Sequence, residues 1–390
     1  MQLHLSQHVT YVGSIDWDRR IFDQLISIPF GTTYNAYLLQ GTEKTALIDS
    51  VDPDKVTDLE ENLADSSVSH IDYIVCQHAE QDHSGSIPYL LEKFPEAKVV
   101  TNEKCKGFLI DLLSIPEEKF LLVKDQDTLS LGNITLRFLL TPWVHWPETM
   151  VTYYEEEEIL FSCDFFGAHV ATSDLITDTP MLYISPAKHY FAEIMMPFRN
   201  IIQKNLAKIA PLSIRMIAPS HGPIYKDPNP IMKAYEEWAS DQTKPMVIIA
   251  YVSMHDSTKQ MVEYVANKLM KNNVAVKVYN LPKSDIGEVA TDLVDASSMI
   301  LASPTVLAGA HPEAVYAAFL ANALRPKLKY ISIIGSYSWG GKMVEQIQNL
   351  IPNLKAEIIE PVLAKGTPKE EDFKKLDALV QAFLNKNRNQ

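Results

Sequence analysis

The C-terminal part of the chain alternates apolar segments with segments of helical pattern, and this alternation constrains the fold more than any other feature. The apolar segments read as nearly continuous hydrophobic runs: MVIIAYVS, AVKVYNL, MILASPT, KYISIIGS and AEIIEPV. Such runs are typical of strands that are covered on both faces, as in parallel sheets. Helical segments lie between the runs, and one follows the last. The pattern therefore predicts an α/β domain with a doubly wound parallel sheet.

The residues before this domain have a different pattern, with shorter strands and hairpins. Strands are indicated by three apolar runs, TALIDS (45–50), IDYIVCQ (71–77) and KVVTN (98–102). Hairpin turns are expected at Gly132-Asn133 and at the four glutamates 155–158. Helices are expected near 53–64, 86–94 and 103–113, with a longer one over 188–208. The pattern predicts a layered α/β sandwich.

A segment from Lys226 to Pro245, rich in proline at its start, separates the two patterns. A chain of 390 residues is long enough for two domains, since one domain usually takes about 100 to 200 residues. We predict the boundary near residue 243, which gives domains 1–243 and 244–390.

Charge and cysteine content limit the possible partners and compartments. The net charge is −14 and no long Lys/Arg cluster occurs, so neither nucleic acid nor an anionic membrane is an expected partner. The three cysteines are widely spaced without a CxxC pair, which favours a reducing compartment. The N-terminal residues lack the apolar core of a signal peptide, and no apolar run is long enough to cross a bilayer. The expectation is a cytoplasmic protein.

The segment QHAEQDHSGS (77–86) places four possible metal ligands directly after an apolar run. In an extended segment, His78, Glu80 and Asp82 would point the same way, and His83 would turn toward a neighbouring position. One loop could then serve two metal ions. Further ligands are expected at other strand exits, where layered α/β folds gather functional side chains. The candidates are His145 in TPWVHWPET, Asp164 after ILFSC, and His221 in APSHGP. Each of these would be unremarkable alone, as a surface cluster or as ordinary loop histidines.

The spacing of these seven residues resembles that of the flavodiiron proteins, relatives of the metallo-β-lactamase fold. After HxExDH, a histidine follows 62 residues later, an aspartate 19 residues after that and a histidine a further 57 residues on. The segments GTTYNAYLL (31–39) and HWPETM (145–150) are also similar to theirs. The resemblance covers essentially the whole chain. It implies an αββα metallo-β-lactamase-like sandwich followed by a flavodoxin-like domain.

The resemblance also implies which residues hold two non-haem irons. One iron would be bound by His78, Glu80 and His145. The other would be bound by Asp82, His83 and His221. Asp164 would bridge the two. Tyr190 resembles a family tyrosine near the metals, and His169 lies five residues after Asp164; both are candidate catalytic residues, although a structural role for His169 stays open.

Glu80 bears on the identity of the metal. Zinc hydrolases of the wider fold carry a histidine at the middle position of this motif, whereas carboxylate oxygen is a harder donor that suits iron in its higher oxidation state. Two alternatives nevertheless remain open. One is a zinc-dependent hydrolase with a flavodoxin appendage, and the other is a flavin-binding electron carrier with an inactive metal domain.

Three segments at strand ends of the second domain are expected to bind FMN. The first opens a helix, whose N-terminus and hydroxyl groups suit a phosphate. It is not glycine-rich, which favours a mononucleotide over a dinucleotide. Trp339 or Tyr337 is expected to stack on the flavin ring. The expected contacts are Ser253, Met254, His255, Asp256, Ser257 and Thr258; Ser303, Pro304, Thr305, Val306, Leu307 and Gly309; and Ser336, Tyr337, Ser338, Trp339 and Gly340.

The activity that the resemblance implies is that of a terminal reductase, in which FMN and a diiron site reduce O2 to water, NO to N2O, or both. The ligand set is common to both activities, so the preferred gas stays open. No CxxC pair for a rubredoxin occurs in the sequence, so an external electron donor is expected: rubredoxin, a rubredoxin reductase system or a reduced deazaflavin. The resemblance further implies a head-to-tail homodimer or a dimer of dimers.

Overall fold

The computed structural model describes residues 3–22 and 24–387, which form two compact units. The first unit contains the residues up to Tyr190 together with Phe198–Ala239. The second contains Phe191–Pro197 and the residues from Ser240 onward. Of the helices in these ranges, none is both long enough and apolar enough to cross a membrane.

The first unit is built mainly from two mixed β-sheets. Its strands are β1 (Leu3–His4), β2 (Val9–Tyr11), β3 (Ser14–Asp16), β4 (Ile21–Phe22), β5 (Ile26–Ser27), β6 (Thr32–Tyr34), β7 (Tyr37–Gln40), β8 (Thr45–Ile48), β9 (Tyr73–Val75), β10 (Lys98–Thr101), β11 (Phe120–Leu122), β12 (Thr128–Ser130), β13 (Thr135–Leu140), β14 (Met150–Tyr154), β15 (Ile159–Cys163), β16 (Ile176–Thr177), β17 (Met216–Pro219) and β18 (Ile224–Tyr225). One sheet has the order β1-β2-β7-β8-β9-β10-β11, and the other the order β12-β13-β14-β15-β17-β18-β16. The pairs β3-β6 and β4-β5 lie outside them.

Alternating side chains of the two sheets share one hydrophobic core. Tyr37 and Leu39 of β7 lie in this core with Leu136 and Phe138 of β13, as do alternate residues of the neighbouring strands. Because successive side chains of a strand point to opposite faces, this alternation places the two sheets face to face. The intervening residues of the central strands are buried as well, which is why these strands read as continuous apolar runs. The predicted sandwich is confirmed.

The helices of the first unit are α1 (Val56–Asp65), α2 (Gln81–Ser84), α3 (Ile87–Lys93), α4 (Glu103–Leu113), α5 (Ile184–Tyr190), α6 (Arg199–Ile209) and α7 (Asn229–Ala239). The predicted longer helix over 188–208 is helical throughout, but it is not one regular α-helix. After α5 the chain forms a π-helical turn at Phe191–Met195 and a 3₁₀ turn at Met196–Phe198 before α6 begins. Pro197 explains the end of the regular hydrogen bonding, since proline has no backbone N–H to donate.

The second unit is a parallel sheet with helices. Its strands are β19 (Lys244–Tyr251), β20 (Ala275–Asn280), β21 (Ala296–Val306), β22 (Gly309–Ala310), β23 (Tyr330–Tyr337), β24 (Glu357–Ile358) and β25 (Val362–Lys365). Its helices are α8 (Ser257–Lys271), α9 (Ile286–Leu293), α10 (Pro312–Leu324), α11 (Met343–Leu350) and α12 (Glu370–Asn387). The order β20-β19-β21-β23-β24, with parallel pairing throughout, is the flavodoxin-like arrangement, so the predicted sheet is confirmed.

Two details of this unit differ from the expectation. The predicted fifth strand is split into β24 and β25, which both pair with β23. Pro361 lies in the break, where it cannot donate a ladder hydrogen bond. The segment 303–312 is also not wholly a loop, because β21 continues to Val306 and Gly309–Ala310 pairs back on it as a short hairpin.

Candidate metal centre and flavin-binding cleft

Each predicted metal ligand lies at the exit of a strand. His78 and Glu80 follow β9, and Asp164 directly follows β15. His145 lies between β13 and β14, and His221 between β17 and β18. One sheet therefore carries His78, Glu80, Asp82 and His83, and the other carries His145, Asp164 and His221. All seven lie in the first unit, at one place in the sandwich.

Four of these residues form a first cluster, His78, Glu80, His145 and Asp164. The Nε2 atoms of His78 and of His145 each lie 3.1 Å from Oε2 of Glu80. The same two nitrogens lie 3.5 Å and 3.3 Å from Oδ2 of Asp164. Two imidazole nitrogens and two carboxylate oxygens therefore converge on one point.

A second cluster contains Asp82, His83 and His221. Nε2 of His221 lies 3.0 Å from Oδ2 of Asp82, and Nε2 of His83 lies 3.4 Å from Oδ1 of the same carboxylate. The pattern-based expectation that Asp82 points with His78 and Glu80 is wrong. The short helix α2 begins immediately after Glu80, and its helical turn directs Asp82 and His83 to the other cluster.

Asp164 contacts both clusters. Its Oδ2 faces the first cluster, whereas its Oδ1 lies 3.1 Å from Nε2 of His83 and 3.5 Å from Nε2 of His221. In the part of the chain that the structure describes, both oxygens of Asp164, both oxygens of Asp82 and Nε2 of His83 are buried without a hydrogen-bond partner. Buried polar atoms are nearly always satisfied, so atoms left open on converging ligands indicate a place for cations. The donor set fits two metal ions that share the Asp164 carboxylate.

Mutual contacts shift the pKa values of these groups in opposite directions. Burial lowers the pKa of the His83 imidazole, but Asp82 and Asp164 outweigh it and raise that pKa to about 9. Burial raises the pKa of Asp164, but His83, His145 and His78 hold it well below its usual range. Protons on the imidazoles thus balance the carboxylates. A metal ion would replace those protons, which couples metal binding to proton release.

Two residues behind the ligands were not singled out by the sequence. Oε1 of Glu148 lies 2.7 Å from Nδ1 of His78, and both side chains are fully buried. Asp49 lies within 4.8 Å of a ring nitrogen of His83 and accepts hydrogen bonds from Gln77 and Ser220. Glu148 is part of the HWPETM segment and Asp49 directly follows β8. The sequence could have indicated them only as carboxylates that stand at a strand exit or inside a motif.

The two candidate catalytic residues are buried beside the second cluster. The ring of His169 lies 4.9 Å from that of His221 and 4.8 Å from that of Tyr190. Nδ1 of His169 lies 2.9 Å from the Thr32 hydroxyl, and burial with His221 nearby lowers its pKa. Burial and the Asp164 carboxylate raise the pKa of Tyr190, so its hydroxyl keeps its proton at neutral pH.

The second unit contains a polar cleft of about 120 Å³ at the carboxyl ends of its strands. Nine of its lining residues belong to the three segments that the sequence indicated: Ser253, Met254, His255, Ser257, Thr258, Thr305, Ser336, Tyr337 and Ser338. Gly366, just after β25, also lines it and was missed. The first turn of α8 therefore opens into a ring of hydroxyl groups, which fits a phosphate monoester.

The other residues proposed for flavin binding lie outside this lining. Ser303 is buried in β21, where its hydroxyl accepts a hydrogen bond from the His311 N–H and donates one to the Pro304 carbonyl. Val306, Leu307 and Gly309 line a larger, mainly apolar groove of about 650 Å³. The side chains of Trp339 and Leu307 are 78% and 91% exposed. Large apolar side chains so exposed beside a polar cleft suit the flat ring system of a flavin.

Comparison with known proteins finds family matches in both units. Residues 32–222 match the family described as ODP family beta lactamase, and residues 249–376 match the flavodoxin family. The first match covers the region that forms the sandwich, and the second covers the region that forms the parallel sheet.

Similar proteins extend over nearly the whole chain. A nitric oxide reductase of Moorella thermoacetica is 35% identical over 95% of each chain. The structure of a rubredoxin oxygen:oxidoreductase from Desulfovibrio gigas is 28% identical and has a TM-score of 0.95, covering 100% of this chain and 99% of that one. A flavodiiron protein from Giardia intestinalis is 26% identical with a TM-score of 0.90, covering 99% and 98%.

Proposed function

Because the chain belongs to the flavodiiron proteins, we propose that it is an oxidoreductase that reduces O2, NO or both at a non-haem diiron site, with FMN supplying the electrons. The observation that carries this proposal is the division of the Asp164 carboxylate between two ligand clusters. A carboxylate that served a single ion would not direct its two oxygens to separate ligand clusters.

We assign the first ion to His78, Glu80 and His145, the second to Asp82, His83 and His221, and the bridge to Asp164. Two irons held by these residues would supply a paired redox centre at which a diatomic gas can bind. Glu80 and His145 retain about 15% exposure, whereas Asp82, His83, Asp164 and His221 are buried. We therefore infer that the gas approaches from the side of Glu80 and His145.

Tyr190 and His169 complete the proposed reaction site. Both are buried against the second cluster, and among residues 3–22 and 24–387 His169 belongs to no His/Cys/Asp/Glu cluster that could hold a metal ion. Tyr190 holds a proton on its hydroxyl and is proposed to donate a hydrogen bond to bound substrate. His169 is proposed to hold His221 in place through ring contact, with its own orientation fixed by Thr32.

FMN is proposed to bind in the polar cleft of the second unit, with its phosphate at the first turn of α8. FMN supplies one-electron and two-electron transfer between donor and metal centre. Ser257 and Thr258 lie in that turn, and Ser253 accepts a hydrogen bond from the Lys259 N–H across it. These groups would bind and orient the phosphate, while Tyr337 and Trp339 would pack on the flavin ring.

The electron donor is proposed to be a separate redox protein or cofactor. The similarity to a rubredoxin oxygen:oxidoreductase supports rubredoxin, alone or with its reductase; a reduced deazaflavin is the other candidate. A head-to-tail homodimer, or a dimer of dimers, is proposed from the family resemblance. Light scattering of the FMN-loaded protein tests it, and a fully active monomer would contradict it.

The reductase proposal is tested with anaerobically purified protein. Iron, zinc and flavin are quantified, the protein is reduced, and its reoxidation is followed by stopped-flow absorbance after mixing with O2 or with NO. We expect about two irons and one FMN per chain, with rapid reoxidation by at least one gas. Bound zinc after iron-rich expression, with a reduced flavin that neither gas reoxidises, would refute the reductase and favour a hydrolase.

A further inference from the structure

Glu148 links two segments that carry ligands of the first metal cluster. Its Oε1 lies 2.7 Å from Nδ1 of His78 and accepts a second hydrogen bond from the Ala79 N–H at 3.1 Å. The residue itself lies three positions after His145. Its backbone carbonyl accepts a hydrogen bond of 2.6 Å from the Asn102 side chain at the start of α4. Glu148 therefore joins the His78 and His145 segments and is itself held in place.

The contact defines the form of the His78 imidazole. Oε1 of Glu148 faces Nδ1 of His78 as a hydrogen-bond acceptor, so a neutral His78 that donates to it carries its single proton on Nδ1. Nε2 is then left free of a proton, and this is the nitrogen that points to Glu80 and Asp164. A metal-binding histidine needs this form, and the group that holds its second nitrogen commonly controls metal affinity.

His78 and His221 differ in this respect. His221 of the second cluster directs Nδ1 to the backbone carbonyl of Thr33 at 2.6 Å, a neutral acceptor. His78 directs Nδ1 to a buried carboxylate, a charged acceptor that makes the imidazole a stronger electron donor. The two metal positions should therefore respond differently to the loss of the Glu148 carboxylate.

Glu148 also lines a groove in the first unit, although its side chain is fully buried. The groove has a volume of about 400 Å³ and is lined among others by Asn102, Lys104, Lys124 and Pro147. Its Oε2 is buried and has no hydrogen-bond partner within residues 3–22 and 24–387. Removal of the side chain would leave a space of about the size of the lost carboxylate beside this groove.

We propose that Glu148 is a positioning residue that fixes the tautomer and ring orientation of His78 and so sets the metal affinity of the His78–Glu80–His145 position. The inference rests on the proposed function, since it requires that the wild-type chain bind two metal ions. It goes beyond that function because one residue that is not itself a metal ligand would control the affinity for one of the two ions and not for the other.

The test measures metal binding and does not depend on turnover. Wild type, Glu148→Gln and Glu148→Ala are prepared as full-length, FMN-loaded protein, and Fe²⁺ affinity is measured anaerobically by competition with a chelator. We expect one of two ions in Glu148→Ala to bind about 10- to 100-fold more weakly, while the other changes little. Glu148→Gln keeps an acceptor oxygen and should lose less. Glu103→Ala, an exposed change in the same groove, should match wild type.

A second measurement separates positioning from general damage. In Glu148→Ala, formate should restore the weakened affinity, whereas chloride at the same ionic strength should not. The midpoint potential of the iron pair in Glu148→Gln should rise, because a negative charge beside His78 is gone. Equal binding of both ions in all variants, no recovery with formate, or an unchanged potential would each overturn the inference. If Glu148→Ala does not fold, the potential in Glu148→Gln decides. Failure of wild type to bind two irons would instead refute the proposed function.

Discussion

Asp164 faces His83 across 3.1 Å through one carboxylate oxygen and leaves its other oxygen to the opposite ligand cluster. One side chain thus contacts the ligands of both proposed metal positions. Asp164→Ala should therefore lose both metal ions, whereas the loss of a ligand to one ion only, as in His221→Ala, should leave part of the metal bound. Metal quantification after purification in excess iron measures this.

Asp174→Asn is the matched control for this change, since Asp174 is exposed in the same unit and belongs to neither cluster. It should bind iron as wild type does. Retention of two irons per chain in Asp164→Ala would contradict the bridging role.

Tyr190→Phe should lower the rate of gas reduction about tenfold without changing the metal content. The change removes one hydroxyl from a buried residue beside the second cluster, and the loss of one hydrogen bond to substrate is worth about 1.4 kcal/mol. Reoxidation of the reduced protein by stopped-flow absorbance measures it. Tyr225→Phe removes a buried hydroxyl that donates to the Phe166 carbonyl and serves as the control, with an expected wild-type rate. Equal rates in both variants would remove Tyr190 from the mechanism.

Thr258→Val should weaken FMN binding about tenfold, because it replaces a buried hydroxyl in the first turn of α8 by a methyl group of similar size. This hydroxyl lies 3.1 Å from that of Ser336, so its loss also removes a contact between the helix and β23. Fluorescence titration of the flavin-free protein with FMN gives the dissociation constant. Ser284→Ala, outside the residues that line the cleft, should leave it unchanged. An unaltered constant in Thr258→Val would place the phosphate elsewhere.

We predict that the buried carboxyl of Glu193 makes the free energy of unfolding of the second unit depend on pH. Burial, with a smaller contribution from Asp285, raises the pKa of this carboxyl to about 8. The folded state therefore binds a proton that the unfolded state, with an ordinary carboxyl pKa, releases between about pH 4.5 and 8. Over this window stability falls as the pH rises, by roughly 1–3 kcal/mol from this one group.

Glu193→Gln should remove that penalty. The variant should unfold at a higher temperature than wild type at pH 8.5, and the difference should shrink toward pH 5. Thermal unfolding by circular dichroism across this range measures it, with the exposed Glu371→Gln as a control that shows no such trend. A difference independent of pH would show that Glu193 titrates normally.

The loops that carry the candidate ligands could be predicted because each histidine or carboxylate follows an apolar run that is typical of a strand. His145, Asp164 and His221 follow apolar runs, and the structure gathers them with the HxExDH segment. The direction of Asp82 could not be predicted, since it depends on a single turn of helix that starts after Glu80. Local periodicity does not reveal a helix of four residues.

Glu148 and Asp49 escaped prediction for a different reason. Both lie behind metal-ligand candidates through contacts that form only in the packed sandwich, which brings Oε1 of Glu148 within 2.7 Å of Nδ1 of His78, 70 positions away. The change from α-helical to π-helical hydrogen bonding after Tyr190 was not predicted, because the apolar pattern continues through it. Pro197 is the residue in the sequence that indicates an irregular helix there.

The metal ligands are divided between two sheets, and this division has a consequence for the order of folding. His78, Glu80, Asp82 and His83 extend from a strand of one sheet, whereas Asp164 and His221 extend from strands of the other. Contacts between residues so distant along the chain form slowly, because a long loop must close first. The site is thus complete only after the sheets have docked. Ions held by the proposed ligands would need both sheets in place, and by mass action they would oppose separation of the two layers.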